Sequence, residues 1–164
     1  MGRIENLPAS FKPVRRREGW FCLPVRGFDA SDEVVLKLHS QIPLPVQIFC
    51  GAMPKSTSQS IYAIQDISSS QLARIFETGS HSGSAFETEK LCEQLENIYR
   101  IAPFRPYFID SAGYKASFQK QITLKQAKLI ASLVVIGVDG YSAETGTAIA
   151  KTLVAENEIR FWWD

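Results

Sequence analysis

The sequence predicts an α/β (α+β) two-layer sandwich, with a mixed β-sheet covered on one face by helices. Three observations predict it. Short segments with period-two apolar alternation recur along the chain, longer segments with apolar spacing of three and four stand between them, and three Ser/Thr-x-x-Glu/Gln capping boxes mark helix starts. The 164 residues, 45% of them apolar, are enough to bury about two thirds of the unfolded surface. With 18 Lys and Arg against 17 Asp and Glu, the disordered class defined by high net charge is excluded. The longest apolar run, residues 129–138, is broken by Ser132 and Gly137 and falls short of the ~18 residues of a membrane helix.

Taken in order, residues 1–20 hold five Lys or Arg against two Glu, including Arg15, Arg16 and Arg17. Residues 1–19 therefore read as a basic N-terminal arm, either a contact for phosphate, lipid headgroups or an acidic partner, or a solvated terminus. Residues 20–55 read as a strand-helix-strand extension. It comprises a strand over 20–25, a helix opened at Ser31 with Asp32 and Glu33 in its first turn and stopped by Pro43, and a strand over 45–50 in which Val46, Ile48 and Cys50 alternate with Gln47 and Phe49. The Ser/Thr-rich stretch 54–60 is the expected boundary, and 56–164 form the second unit.

That unit opens with a strand over 60–65. A helix follows behind the Ser68/Gln71 box and stops at Gly79. Ser84 and Glu87 cap a helix over 84–100, with Leu91, Leu95 and Ile98 on one face. A strand over 106–110 precedes the Thr123/Gln126 box, which opens a helix over 123–136 that is apolar on most sides and expected to be largely buried. A short helix over 147–155 and an alternating closing strand over 158–163 complete the chain.

Chemistry is sparse. Cys22, Cys50 and Cys92 are odd in number, widely spaced and set in apolar contexts, so they read as small core residues, with one disulfide left open. His39 reads as a helix-ending cation and His81 as solvated. Neither has a second ligand at i+4, and no nucleophile elbow or zinc spacing occurs, so no catalytic residues and no metal are expected. The strings Gly79-Ser80-His81-Ser82-Gly83 and Gly137-Val138-Asp139-Gly140 lack the phosphate-cradle endings, so they read as turns and no cofactor is expected. An isoelectric point near 7.7 without aromatic-basic interleaving points away from nucleic acid.

From about residue 106 onward the order of local strings resembles the OmpA-like C-terminal family, the module that holds outer membranes to peptidoglycan. Gly113-Tyr114-Lys115-Ala116 stands where that family has Gly-His-Thr-Asp, and Ile122-Thr123-Leu124-Lys125-Gln126-Ala127 stands for Leu-Ser-x-x-Arg-Ala. Gly137-Val138, Gly140-Tyr141-Ser142, Ala148-Ile149-Ala150 and Asn157-Glu158-Ile159-Arg160 follow in the family order. The resemblance implies a peptidoglycan-type site at Gly113, Tyr114, Lys115, Ala116, Gln126 and Asn157, but a degenerate one. Ala116 replaces the Asp and Gln126 replaces the Arg that grip the stem peptide, with Lys115, Asp110 or Arg160 as substitute anchors if binding persists.

Degeneracy of this kind resembles the lipoproteins of type IVB (Dot/Icm) secretion systems. It implies a non-enzymatic scaffold, periplasmic or outer-membrane associated, with envelope or secretion-complex proteins as partners and weak or no peptidoglycan binding. A cytoplasmic binding protein or a small Cys/His hydrolase is the alternative. The expected partner surface is Arg15, Arg16, Arg17 and Trp162, since Arg and Trp are favoured at interface hot spots.

Overall fold

The computed structural model describes residues 14–17, 20–24, 31–56, 58–79, 85–136 and 143–162. In chain order the elements are β1 (Val14–Arg17), β2 (Trp20–Pro24), α1 (Ser31–Gln41), β3 (Val46–Gly51), β4 (Ser60–Gln65), α2 (Ser69–Ile75), α3 (Ala85–Ile101), β5 (Phe104–Ile109), β6 (Gly113–Phe118), α4 (Leu124–Ile136), α5 (Ala143–Glu156) and β7 (Glu158–Trp162). The strands form one mixed sheet in the order β1-β2-β4-β3-β5-β6-β7, antiparallel throughout except between β3 and β5.

This order joins the two expected units. β4 lies between β2 and β3, and the stretch 54–60 lies within the hairpin connection whose strands pair from Val46↔Gln65 to Gly51↔Ser60, so it does not separate two sheets. β1 and β6 are additional to the five expected strands. Arg15, Arg16 and Arg17 belong to an edge strand of the sheet and are not part of a free arm. The closing helix is α5, which begins four residues earlier than its expected start because Gly146 is tolerated inside it.

The helix layer lies on one face. Phe49, Tyr62 and Phe76 meet there with ring centroids 5.1–5.4 Å apart, and Leu72, Leu91, Leu95 and Ile98 from α2 and α3 pack around them. Two caps act as expected. Ser68 Oγ accepts from the Gln71 amide while the Ser68 N–H donates to Gln71 Oε1, and Thr123 and Gln126 make the equivalent pair at the start of α4. Arg74 on α2 forks onto Glu89 on α3 through 2.8 and 2.7 Å bonds, tying the two helices at the surface. The third box, at Ser84, lies outside the described residues.

α4 departs from its expected burial. Among the residues of α4 whose burial is described, only Ala127, Ile130 and Ala131 are buried, whereas Leu124 and Leu129 each remain 50% exposed. The helix packs against α3 and α5, and among the described residues no further element covers it.

α1 packs on the opposite face. Val35, Leu38 and Ile42 cover Ile48, Cys50, Ile61 and Ala63 over the middle of the sheet. His39 is not the expected terminal cation. Its Nε2 donates to Ile48 O at 2.6 Å, and burial, with the neighbouring Arg105 charge adding, lowers its pKa to about 4, so the ring is neutral. Arg105 supplies the charge instead. From β5 it donates to His39 O in the last turn of α1 at 3.0 Å and to Val46 O at 2.5 Å, and desolvation brings its pKa down to about 10.

Candidate functional site

The residues of the expected peptidoglycan-type site separate onto different surfaces. Strand parity sends Tyr114 and Ala116 into the helix-face core, where both are fully buried, and sends Gly113 and Lys115 to the opposite face. Gln126 is consumed by structure. Its Oε1 accepts from the Thr123 N–H and its Nε2 donates to Ile101 O at 3.0 Å, which binds the start of α4 to the end of α3. Asn157 turns the chain from α5 into β7 at φ 53°, a left-handed conformation that Asn tolerates. Its Oδ1 accepts from the Ile122 N–H and its Nδ2 donates to Phe118 O. Gln126 and Asn157 thus both hold the 118–123 connection, away from Gly113 and Lys115.

The three substitute anchors are engaged as well. Asp110 Oδ1 accepts from the Ala112 and Gly113 amides and closes the β5–β6 turn. Lys115 pairs with Asp32 of α1 at 2.9 Å and lies 5.0 Å from the Phe108 ring centroid. Arg160 pairs with Glu158 at 2.7 Å and Glu156 at 3.3 Å, and Glu158 also accepts from the Tyr107 hydroxyl.

The expected partner surface is divided. Arg15, Arg16 and Arg17 lie on β1 and Trp162 on β7, the two outermost strands, separated by six strand spacings or roughly 29 Å. On its own side, Trp162 is 61% exposed and stacks on Phe108 at 6.5 Å and 25°. Gly113 lies opposite it in the register, and a Cβ at Gly113 would stand 2.7 Å from the indole. Glycine is required there by the tryptophan lying against it, whatever its place in a motif.

The described thiols are core groups. Cys50 and Cys92 are buried and not joined in a disulfide; Cys92 Sγ lies 3.3 Å from Ser70 O, and burial pushes its thiol pKa up, which disfavours the reactive thiolate. The expectations for Cys22 and His81 concern side chains outside the described set. Among the described residues no three His, Cys, Asp or Glu side chains gather as metal ligands, and no helix is long and apolar enough to cross a membrane.

One cleft was not expected. It encloses about 660 Å³ on the helix face, where the start of β3, the β4–α2 connection and the second half of α3 meet. Leu44, Ile67, Leu95 and Tyr99 form apolar walls, and Tyr99 is set edge-on to Phe104 at 5.5 Å. Gln47 and Ser69 line it as buried polar residues, 8% and 7% exposed. Gln47 Oε1 accepts no hydrogen bond from any described residue, and Ser69 Oγ stands near the buried Tyr114 hydroxyl without completing one. Asp66, Glu96 and Arg100 supply its charges. Comparisons with protein-family models, with curated proteins and with solved structures found no match for this chain.

Proposed function

We propose that the chain is a non-catalytic interaction module of the bacterial cell envelope, periplasmic or outer-membrane associated, that contacts other proteins of an envelope or secretion complex and does not hold peptidoglycan. The observation that carries this reading is how the motif positions are used. Gln126, Asn157, Asp110, Lys115 and Arg160 all direct their polar groups to partners within the chain, while Trp162 keeps 61% of its surface exposed on an edge strand.

A large aromatic side chain on a sheet edge is a favourable contact for another protein, since the strand offers unpaired backbone groups and the indole offers apolar area with a polar handle. The arginine-bearing β1 edge lies at the far side of the sheet, so the two edges engage two different neighbours, as a scaffold requires. The ordered strings between 106 and 160 that resemble the OmpA-like family, and through their degeneracy the type IVB secretion lipoproteins, supply the envelope part of the reading.

Capture of the protein from detergent-extracted envelopes tests it. Trp162→Ala is expected to lose one neighbour and Arg15→Gln/Arg16→Gln/Arg17→Gln another, each with an unchanged circular dichroism spectrum. Retention of the full complex by both variants, or isolation of the wild type as a partnerless cytoplasmic monomer, contradicts the reading.

A further inference from the structure

β7 is the last strand of the sheet, and among the described residues no strand pairs with its outer edge. The backbone groups on that edge can be assigned from the β6–β7 register. The Phe118 N–H donates to Asn157 O, one position on from the pair Ser117↔Glu158. Bonded positions alternate along an antiparallel ladder, so Ile159 and Phe161 turn their backbone groups toward β6, and Glu158, Arg160 and Trp162 turn theirs outward. The same three residues carry their side chains on the α1 face, where Glu158 meets Tyr107 and Trp162 meets Phe108.

The side chains there are used unevenly. The Tyr107 hydroxyl, Arg160 Nε and Arg160 Nη2 all donate to one oxygen of Glu158, Oε2, at 2.9, 3.1 and 2.7 Å, and Oε1 accepts from no described residue. Arg160 directs Nε and Nη2 to Glu158 and Glu156 and keeps Nη1 unengaged among the described residues, on a side chain that is 56% exposed. A charged acceptor and a charged donor thus stand two residues apart on one strand. Glu-x-Arg is self-complementary when read antiparallel: a second β7 centred on Ile159 sets Glu158 of each copy opposite Arg160 of the other. Both positions face outward, so the same register also pairs their backbone groups. A register centred on Arg160 would oppose the two guanidiniums, and one centred on Phe161 would move Glu158 away from the arginine.

We propose that the β7 edge binds a second copy of this chain: two β7 strands pair antiparallel about a two-fold axis at Ile159, with Arg160 Nη1 of each copy donating to Glu158 Oε1 of the other. Trp162, two residues beyond Arg160 on the same face, flanks each new ion pair. This rests on the reading of the β7 edge as a protein contact and names one of its neighbours. One short strand pair is a small interface, so the association belongs to the weak, reversible class.

Sedimentation velocity of the pure full chain tests it. The weight-average mass is expected to rise from 18.3 kDa toward twice that value as the concentration goes from about 10 μM to about 1 mM. Glu158→Arg and Arg160→Glu each set like charges opposite one another, so each variant alone should associate at least about tenfold more weakly. An equimolar mixture of the two should restore the association, because opposite charges then face each other across the axis. If Glu158→Arg fails to fold without the Tyr107 hydrogen bond, Arg160→Pro replaces it; that N–H points outward, so proline leaves the β6 ladder intact and blocks the edge. A wild type that stays monomeric at about 1 mM, undiminished association of the variants, or a mixture no stronger than its components overturns the proposal. Capture of a different protein through Trp162, with the pure chain monomeric, likewise overturns the second copy while the edge contact itself stands.

Discussion

The two faces of the sheet are built by different physics. On the helix face, Phe49, Tyr62, Phe76, Phe104 and Tyr114 interlock with α2 and α3 in a mainly apolar contact. On the α1 face, one helix covers the middle of the sheet. Beyond it the β6–β7 end is held by Lys115–Asp32, the Arg160–Glu158 pair, the Tyr107–Glu158 hydrogen bond and the Trp162–Phe108 stack. The difference teaches where the fold is specified and where it is free to serve a partner. Close-packed interiors punish small changes in volume, whereas half-exposed ion pairs contribute little and leave their surface open to change.

The largest effect that sharpens this contrast is on the helix face. Phe49→Ala removes the ring that both Tyr62 and Phe76 touch, and is expected to cost about 3–5 kcal/mol in chemical denaturation.

Next is acid. The folded pKa of His39, about 4, lies below its ordinary 6.5, so as pH falls below 6.5 the unfolded chain takes up a proton that the folded chain refuses. The contribution of the neutral ring is complete above pH 6.5 and is lost progressively down to about pH 4, a loss of roughly 3 kcal/mol. Denaturation midpoints between pH 7 and 4.5 should show it, and His39→Gln should flatten that slope. A variant that keeps the full slope breaks the assignment.

Smaller effects belong to the open end. Trp162→Ala should cost about 0.5–1.5 kcal/mol, since it loses an aromatic pair and little burial, and Gly113→Ala should match or exceed it by pushing the indole away. Lys115→Ala should change stability by no more than about 1 kcal/mol, because both members of its ion pair are partly solvated. A larger loss from Lys115 than from Trp162 reverses the proposed order within the open end.

The same contrast accounts for what the sequence made legible. The helix-face elements announce themselves. Leu91, Leu95 and Ile98 at spacing four and three, and the Ser68 and Thr123 boxes, encode period and start locally, and all are found in place. β6 was hidden because Lys115 and Ser117 face the open side and Gly113 opens the strand, so its apolar half reads as a motif fragment. β1 was hidden behind three consecutive arginines.

The cleft had no local signature, since its walls come from three segments separated by long stretches of chain. One trace of it was present. Gln47 sits between Val46 and Ile48 in a strand that is buried on both faces because α1 covers one and the helix layer the other, and the alternation of polar and apolar residues there carries no sign of that double burial. His39 was misread because its cap function passed to Arg105, 66 residues away in sequence, which no local pattern reports.

The central claim is that the motif positions serve the fold and not a cell-wall ligand, and co-sedimentation with purified peptidoglycan sacculi tests it most directly. The account predicts that the wild-type protein stays in the supernatant at all sacculus concentrations, as do Gln126→Ala and Lys115→Ala. Saturable pelleting of the wild type that Lys115→Ala or Arg160→Ala abolishes would contradict it and restore these residues as ligand anchors.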